Sequence, residues 1–113
     1  MQSNNISYAK HMISWLDRLG IPDIEIGNRS FELVKKYWFE NENESVDLDK
    51  LREELWSWID LNDGYNTQKA DIAKMRIILC LAYEDNRELE DVGYFEELLV
   101  SLGVSYKDAY KRT

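Results

Sequence analysis

The sequence predicts an all-α fold, a compact bundle of about five main helices plus a short C-terminal helix, built as a single helical domain over residues 1–113. Three observations lead there. The long apolar patterns recur at a spacing near 3.6 residues. No segment alternates apolar and polar residues for long enough to make a sheet. Finally, 113 residues of which 44% are hydrophobic suit one packed core, and no linker or low-complexity tract divides them.

The elements follow in order. Ile6, Ala9, Ile13 and Leu16, with Met12 and Leu19 beside them, predict a helix over residues 5–19, stopped by Gly20 and Pro22. Ile24 and Ile26 alternate, which predicts a short extended connection up to Gly27. A second helix over residues 28–40 sets Phe31, Val34 and Trp38 on one face. Asp47 is the expected N-cap of a third, with Val46 and Leu51 in the two positions of a hydrophobic staple. Its stripe of Leu48, Leu51, Leu55 and Ile59 ends near Asp60, before Asn62-Asp63-Gly64.

A fourth helix starts around Thr67 and is apolar on nearly all sides from Ile72 to Tyr83, the pattern of a helix enclosed by others. Val92, Phe95, Leu98, Leu99 and Leu102 define the fifth. It stops at Gly103, with Val104 placed for the apolar contact that accompanies a glycine C-cap. Ser105 and Asp108 have capping-box spacing for a short last helix carrying Tyr106 and Tyr110. Trp15, Phe31, Trp38, Trp58 and Phe95 fit the apolar stripes and are expected in the core, whereas Trp56, Tyr65 and Tyr94 sit among acids or in turns and are expected at the surface. The single cysteine, Cys80, lies in an apolar run and reads as a buried small hydrophobe.

Charge separates along the chain. The formal charge is −8, with 14 Lys and Arg against 22 Asp and Glu, which opposes direct binding of nucleic acid because phosphate affinity comes largely from cations. Residues 40–63 carry −7, residues 84–97 carry −6, and the remainder carries +5. Residues 1–5 have neither the basic nor the apolar character of a secretory leader, and no apolar run approaches the ~20 residues of a membrane span. A cytoplasmic location is the expectation.

Motifs for chemistry fail on spacing. Asp60-Leu61-Asn62-Asp63-Gly64, with Asn66 and Asp71, resembles the calcium loops of EF-hands and dockerins. With Asp60 as first ligand, however, the glycine comes one position early, and registering the loop on Gly64 puts Ala70 where the last carboxylate belongs. A polar turn is the expected structure. His11 invites comparison with histidine phosphotransfer domains, but those need a small residue four positions later, where this chain has Trp15. A helix-surface histidine is expected instead. The pairs Glu53-Glu54, Glu84-Asp85, Glu90-Asp91 and Glu96-Glu97 point about 100° apart on a helix, so they read as solvated faces rather than as an acid and base on one substrate. No catalytic residue, metal site or cofactor is expected.

The acidic stretches at residues 40–63 and 84–97, with Tyr65 and Tyr94 as aromatic anchors, make the chain resemble the immunity proteins that neutralise bacterial nuclease toxins, those of colicin and contact-dependent growth inhibition systems among them. The resemblance implies an inhibitor that binds a basic protein partner, a toxin nuclease domain, through electrostatic attraction. The expected contacts are Trp56, Asp60, Asp63, Tyr65, Glu90, Asp91, Tyr94 and Glu97. The alternative is a nucleic-acid mimic that occupies the DNA or RNA groove of a processing or defence enzyme. From the loop spacing, calcium at micromolar concentration leaves the melting temperature unchanged, since only a cation bound to the native state would raise it; a saturable rise restores the metal site.

Overall fold

The computed structural model describes residues 2–40, 46–63, 66–85 and 92–111, with side chains from Ile6 onward. Six helices occupy them: α1 (Gln2–Leu19), α2 (Glu25–Phe39), α3 (Leu48–Leu61), α4 (Ala70–Leu81), α5 (Tyr94–Ser101) and α6 (Tyr106–Ala109). There is no strand among the described residues, and none of their helices is long and apolar enough to cross a membrane.

α4 is the hub. Its buried residues Ile72, Ala73, Met75 and Ile77 through Leu81 face every direction around the axis, and α1, α2, α3 and α5 all pack against it. α1 contributes Tyr8, Ala9, Met12, Ile13 and Leu16, a stripe at i, i+4 and i+8. It ends at Gly20, whose φ of 81° suits a residue without Cβ and whose N–H reaches the Leu16 carbonyl at 2.8 Å.

α2 begins three residues before the expected start. Ile24 is extended as expected, but Ile26 and Gly27 lie inside the helix. Gly27 reads as a breaker in sequence, yet here it is a contact. A Cβ on it would come within 3.0 Å of the Met75 Sδ, so the missing side chain lets α2 approach α4 closely. Phe31, Val34 and Trp38 continue that face into the core, and the Trp38 indole donates to the Leu81 carbonyl at 2.8 Å.

α3 is capped as its sequence implies. The Asp47 carboxylate accepts from the Lys50 N–H at 3.1 Å, and Val46 and Leu51 are both buried. α4 starts at Ala70, later than Thr67, because residues 67–69 form turns and a bend. Val92 does not join the stripe of α5: Gly93, in the left-handed conformation at φ 70°, precedes that helix, and Val92 is 73% exposed. At the far end the Gly103 N–H donates to Val100 and the Val104 N–H to Leu99, both at 3.0 Å, the paired bonds of a glycine-closed helix. The Ser105 hydroxyl then accepts from the Asp108 N–H at 3.2 Å to open α6.

Four side chains differ from expectation. Trp15 and Trp58 are half-buried at the edge of the core. His11 is half-buried rather than on the surface, with its ring edge-on to Phe95 at 5.8 Å. Glu96 is 1% exposed, not solvated, and its carboxylate accepts from the Tyr8 hydroxyl at 3.1 Å, which ties α1 to α5 across the core.

Cys80 is buried on α4, and burial pushes its thiol up from 9.0 to about 12. The sign follows: the folded state holds the proton more tightly, so this stabilisation is complete below pH 9 and is lost as pH rises toward about 12. The stability of wild type, measured by urea unfolding, therefore falls more steeply over pH 9–12 than that of Cys80→Ala; parallel pH profiles would show that the thiol is not buried.

Candidate protein-binding groove

Enclosure of α4 is incomplete on one side. Between α3 and α5 a groove of about 520 Å³ exposes the edges of Leu79 and Cys80, with Trp56, Arg76, Tyr83, Asp85, Val92 and Tyr94 around them. Trp56 is there because it sits one residue past Leu55, so when Leu55 faces the core Trp56 turns about 100° outward, to 38% exposure. Tyr94 is half-buried at the first position of α5.

The rings are fixed by cations. Arg76 donates to the Tyr94 hydroxyl at 3.0 Å, and its guanidinium lies 5.6 Å from the Trp56 ring centre. Trp56 in turn donates through its indole N–H to the Tyr83 hydroxyl at 3.1 Å. The Arg52 guanidinium covers the Tyr83 ring at 4.9 Å, donates to the Ala82 carbonyl at 2.8 Å and pairs with Asp49. Tyr94, Arg76, Trp56, Tyr83 and Arg52 thus form a continuous ladder of aromatic and cationic groups. A ladder of this kind loses little side-chain entropy when a partner docks, because the rotamers are already selected.

Acids border it. Glu53 and Asp60 lie three residues before and four after Trp56, so they share its helix face, and both are exposed. Exposed Glu84 and Asp85 follow α4. Asp63 is exposed in the turn after α3 with φ 58°, a left-handed conformation that aspartate tolerates.

The structure therefore brings together Trp56 and Tyr94 from distant parts of the chain, with Asp60 on the Trp56 face. Glu97 faces elsewhere: its carboxylate accepts from the Tyr106 and Tyr110 hydroxyls at 3.4 Å, and those two rings stack in parallel at 6.1 Å. Tyr65, Glu90 and Asp91 lie outside the described residues. Sequence reasoning missed Arg52, Arg76, Tyr83 and Val92. Arg76 carries a readable signal, a cation next to the all-apolar run Ile77–Ala82, which implies that its end reaches either water or a partner group.

Among the described residues no three His, Cys, Asp or Glu side chains are grouped to hold a metal ion, and the groove's one thiol is held protonated by burial. Comparison with family models, curated proteins and solved structures finds no match.

If Trp56 serves contact rather than packing, its removal is cheap. Trp56→Ala costs on the order of 1 kcal/mol or less in urea unfolding, whereas Leu55→Ala, fully buried beside it, costs about 2–5 kcal/mol. Comparable losses would make Trp56 a core residue and the groove incidental.

Proposed function

We propose that this chain is an acidic protein-binding inhibitor, an immunity protein that neutralises a cognate basic bacterial toxin of the nuclease type. The observation that carries this reading is the Trp56–Tyr83–Tyr94 groove: exposed Trp56 and Tyr83 and half-buried Tyr94 held by hydrogen bonds over an apolar floor, with Asp85 in the lining and exposed Glu53 and Asp60 on the helix face of Trp56. Rigid aromatics surrounded by charge are the usual composition of a binding centre, where rings supply contact area and the charged border selects the partner. A nuclease must be basic to hold nucleic acid, so an acidic border both steers it and disfavours acidic competitors.

The apolar floor favours this reading over a nucleic-acid mimic. A mimic needs acids spaced like phosphates and gains nothing from a hollow floored by Leu79 and Cys80. An inhibitor that seats an apolar anchor gains from both the floor and the border.

The direct test is protection. The product of the gene immediately upstream is expressed with and without this chain; alone it is expected to arrest growth, and wild type to restore growth. With the purified pair, Asp60→Lys combined with Asp63→Lys slows association by about tenfold at low salt and flattens its salt dependence, while Trp56→Ala or Tyr94→Ala speeds dissociation by about tenfold or more. Unchanged rate constants in all of these variants would place the site elsewhere, and failure to protect would remove the immunity reading.

A further inference from the structure

A second hollow, of about 580 Å³, lies between the outer face of α1 and the C-terminal α6 segment, lined by Lys10, His11, Ser14, Trp15, Arg18 and Lys111 among others. Its charge is opposite in sign to the net charge of the chain. Three lysine and arginine side chains line it against one carboxylate, Asp108, in a chain whose formal charge is −8. The α1 residues arrive together because Ser7, His11, Ser14 and Arg18 recur at three and four, one face of the helix, with Lys10 and Trp15 beside them.

What holds these cations matters more than their number. Elsewhere among the described residues Arg29, Lys35 and Arg52 are neutralised by Glu54, Glu32 and Asp49. In the hollow the Arg18 guanidinium lies 4.4 Å from the Trp15 ring centre, and the Lys10 ammonium lies 5.3 Å from the ring centre of Phe39, which is on α2 outside the lining. A ring orients a cation without cancelling its charge or occupying its in-plane N–H donors. Arg18 is thus held over the ring with its charge intact.

We infer that this hollow binds a small phosphate-bearing anion, with Arg18, Lys10 and Lys111 as its cationic contacts and Ser7 and Ser14 as hydroxyl donors. Three cations and two hydroxyls on one concave surface match a dianion with several acceptor oxygens better than a single carboxylate. The half-buried Trp15 and His11 rings also line the hollow, beside which an organic group attached to the phosphate would lie. The acids elsewhere do not defeat this, because at physiological salt charge is screened over about 8 Å, whereas the hollow's own cations are in contact with the ligand.

The test is an NMR titration of the full chain, labelled with nitrogen-15, with inorganic phosphate, with adenosine 5′-monophosphate, and with sodium chloride at matched ionic strength. Saturable shifts centred on Ser14, Arg18 and Lys111 with either phosphate, and not with chloride, are expected. Tighter binding of the nucleotide than of phosphate assigns the site to an organic phosphate, and equal binding assigns it to the free anion. Arg18→Gln and Lys111→Gln each weaken binding on the order of tenfold, the loss of one charge-assisted contact, while Arg29→Gln, which disrupts an ion pair outside the hollow, leaves it unchanged. Both substitutions are at exposed positions, and matching far-ultraviolet dichroism confirms the fold. Shifts that do not saturate, that appear equally with chloride, or that survive both variants unchanged overturn the site.

Discussion

Because α4 is apolar around its whole circumference, a chain containing it has one economical arrangement: other helices must enclose it. Twelve residues make a rod of about 18 Å, short enough for α1, α2, α3 and α5 each to cover part of it. Enclosure creates a polar difficulty at the C-terminal end, where the last carbonyls have no partner within the helix. Two neighbours supply donors, Trp38 of α2 to Leu81 and Arg52 of α3 to Ala82, each at 2.8 Å. Each bond contributes about 1 kcal/mol net, and leaving a buried carbonyl unmet costs more. The same bonds also set where α2 and α3 stand along α4, which apolar contact alone does not do.

That placement explains the groove. α3 and α5 are both committed to α4 through Leu55, Ile59, Phe95 and Leu99, and the residues next to those in sequence, Trp56 and Tyr94 among them, turn outward at the border. Arg52 links the two tasks, since one arm of its guanidinium closes the end of α4 while its face covers Tyr83. Core architecture and groove geometry are therefore coupled through one side chain, although the core does not depend on the exposed rings themselves.

What was legible in the sequence was whatever is decided within a turn or two of chain. The Asp47 cap, the Ser105 cap, the glycine closure at Gly103 and the stripes of α1 and α3 need only neighbours at i+3, i+4 or i+5, and all are present. Gly27 was misread because its role is set by Met75, 48 positions away in sequence; the same residue type signals a break locally and a close helix crossing at a distance. Glu96 was misread for a similar reason, its hydroxyl partner Tyr8 being at the other end of the chain. For the site, exposure of Trp56 was readable from its surroundings, whereas the convergence of Trp56 and Tyr94 on α4 was a matter of topology. The cationic hollow was hidden because counting charge by segment dispersed Lys10, Arg18 and Lys111 into a diffuse positive remainder.

The position of Arg76 constrains what kind of group can enter the groove. A purely acidic groove would take the lysine or arginine of a basic partner directly into its centre. Here a guanidinium already occupies the wall between Trp56 and Tyr94, and a second cation pressed beside it in a partly desolvated space would be repelled more strongly than in open water. The anchor that fits against Leu79 and Cys80 is therefore an uncharged, apolar or aromatic side chain. The partner's cations, on the proposed reading, belong outside the groove, opposite exposed Glu53, Asp60 and Asp85, where solvent softens the cost of desolvating them. On the proposed reading, affinity and partner choice are carried by different residues: the floor and its rings hold the complex together, and the border governs how fast and with what it forms.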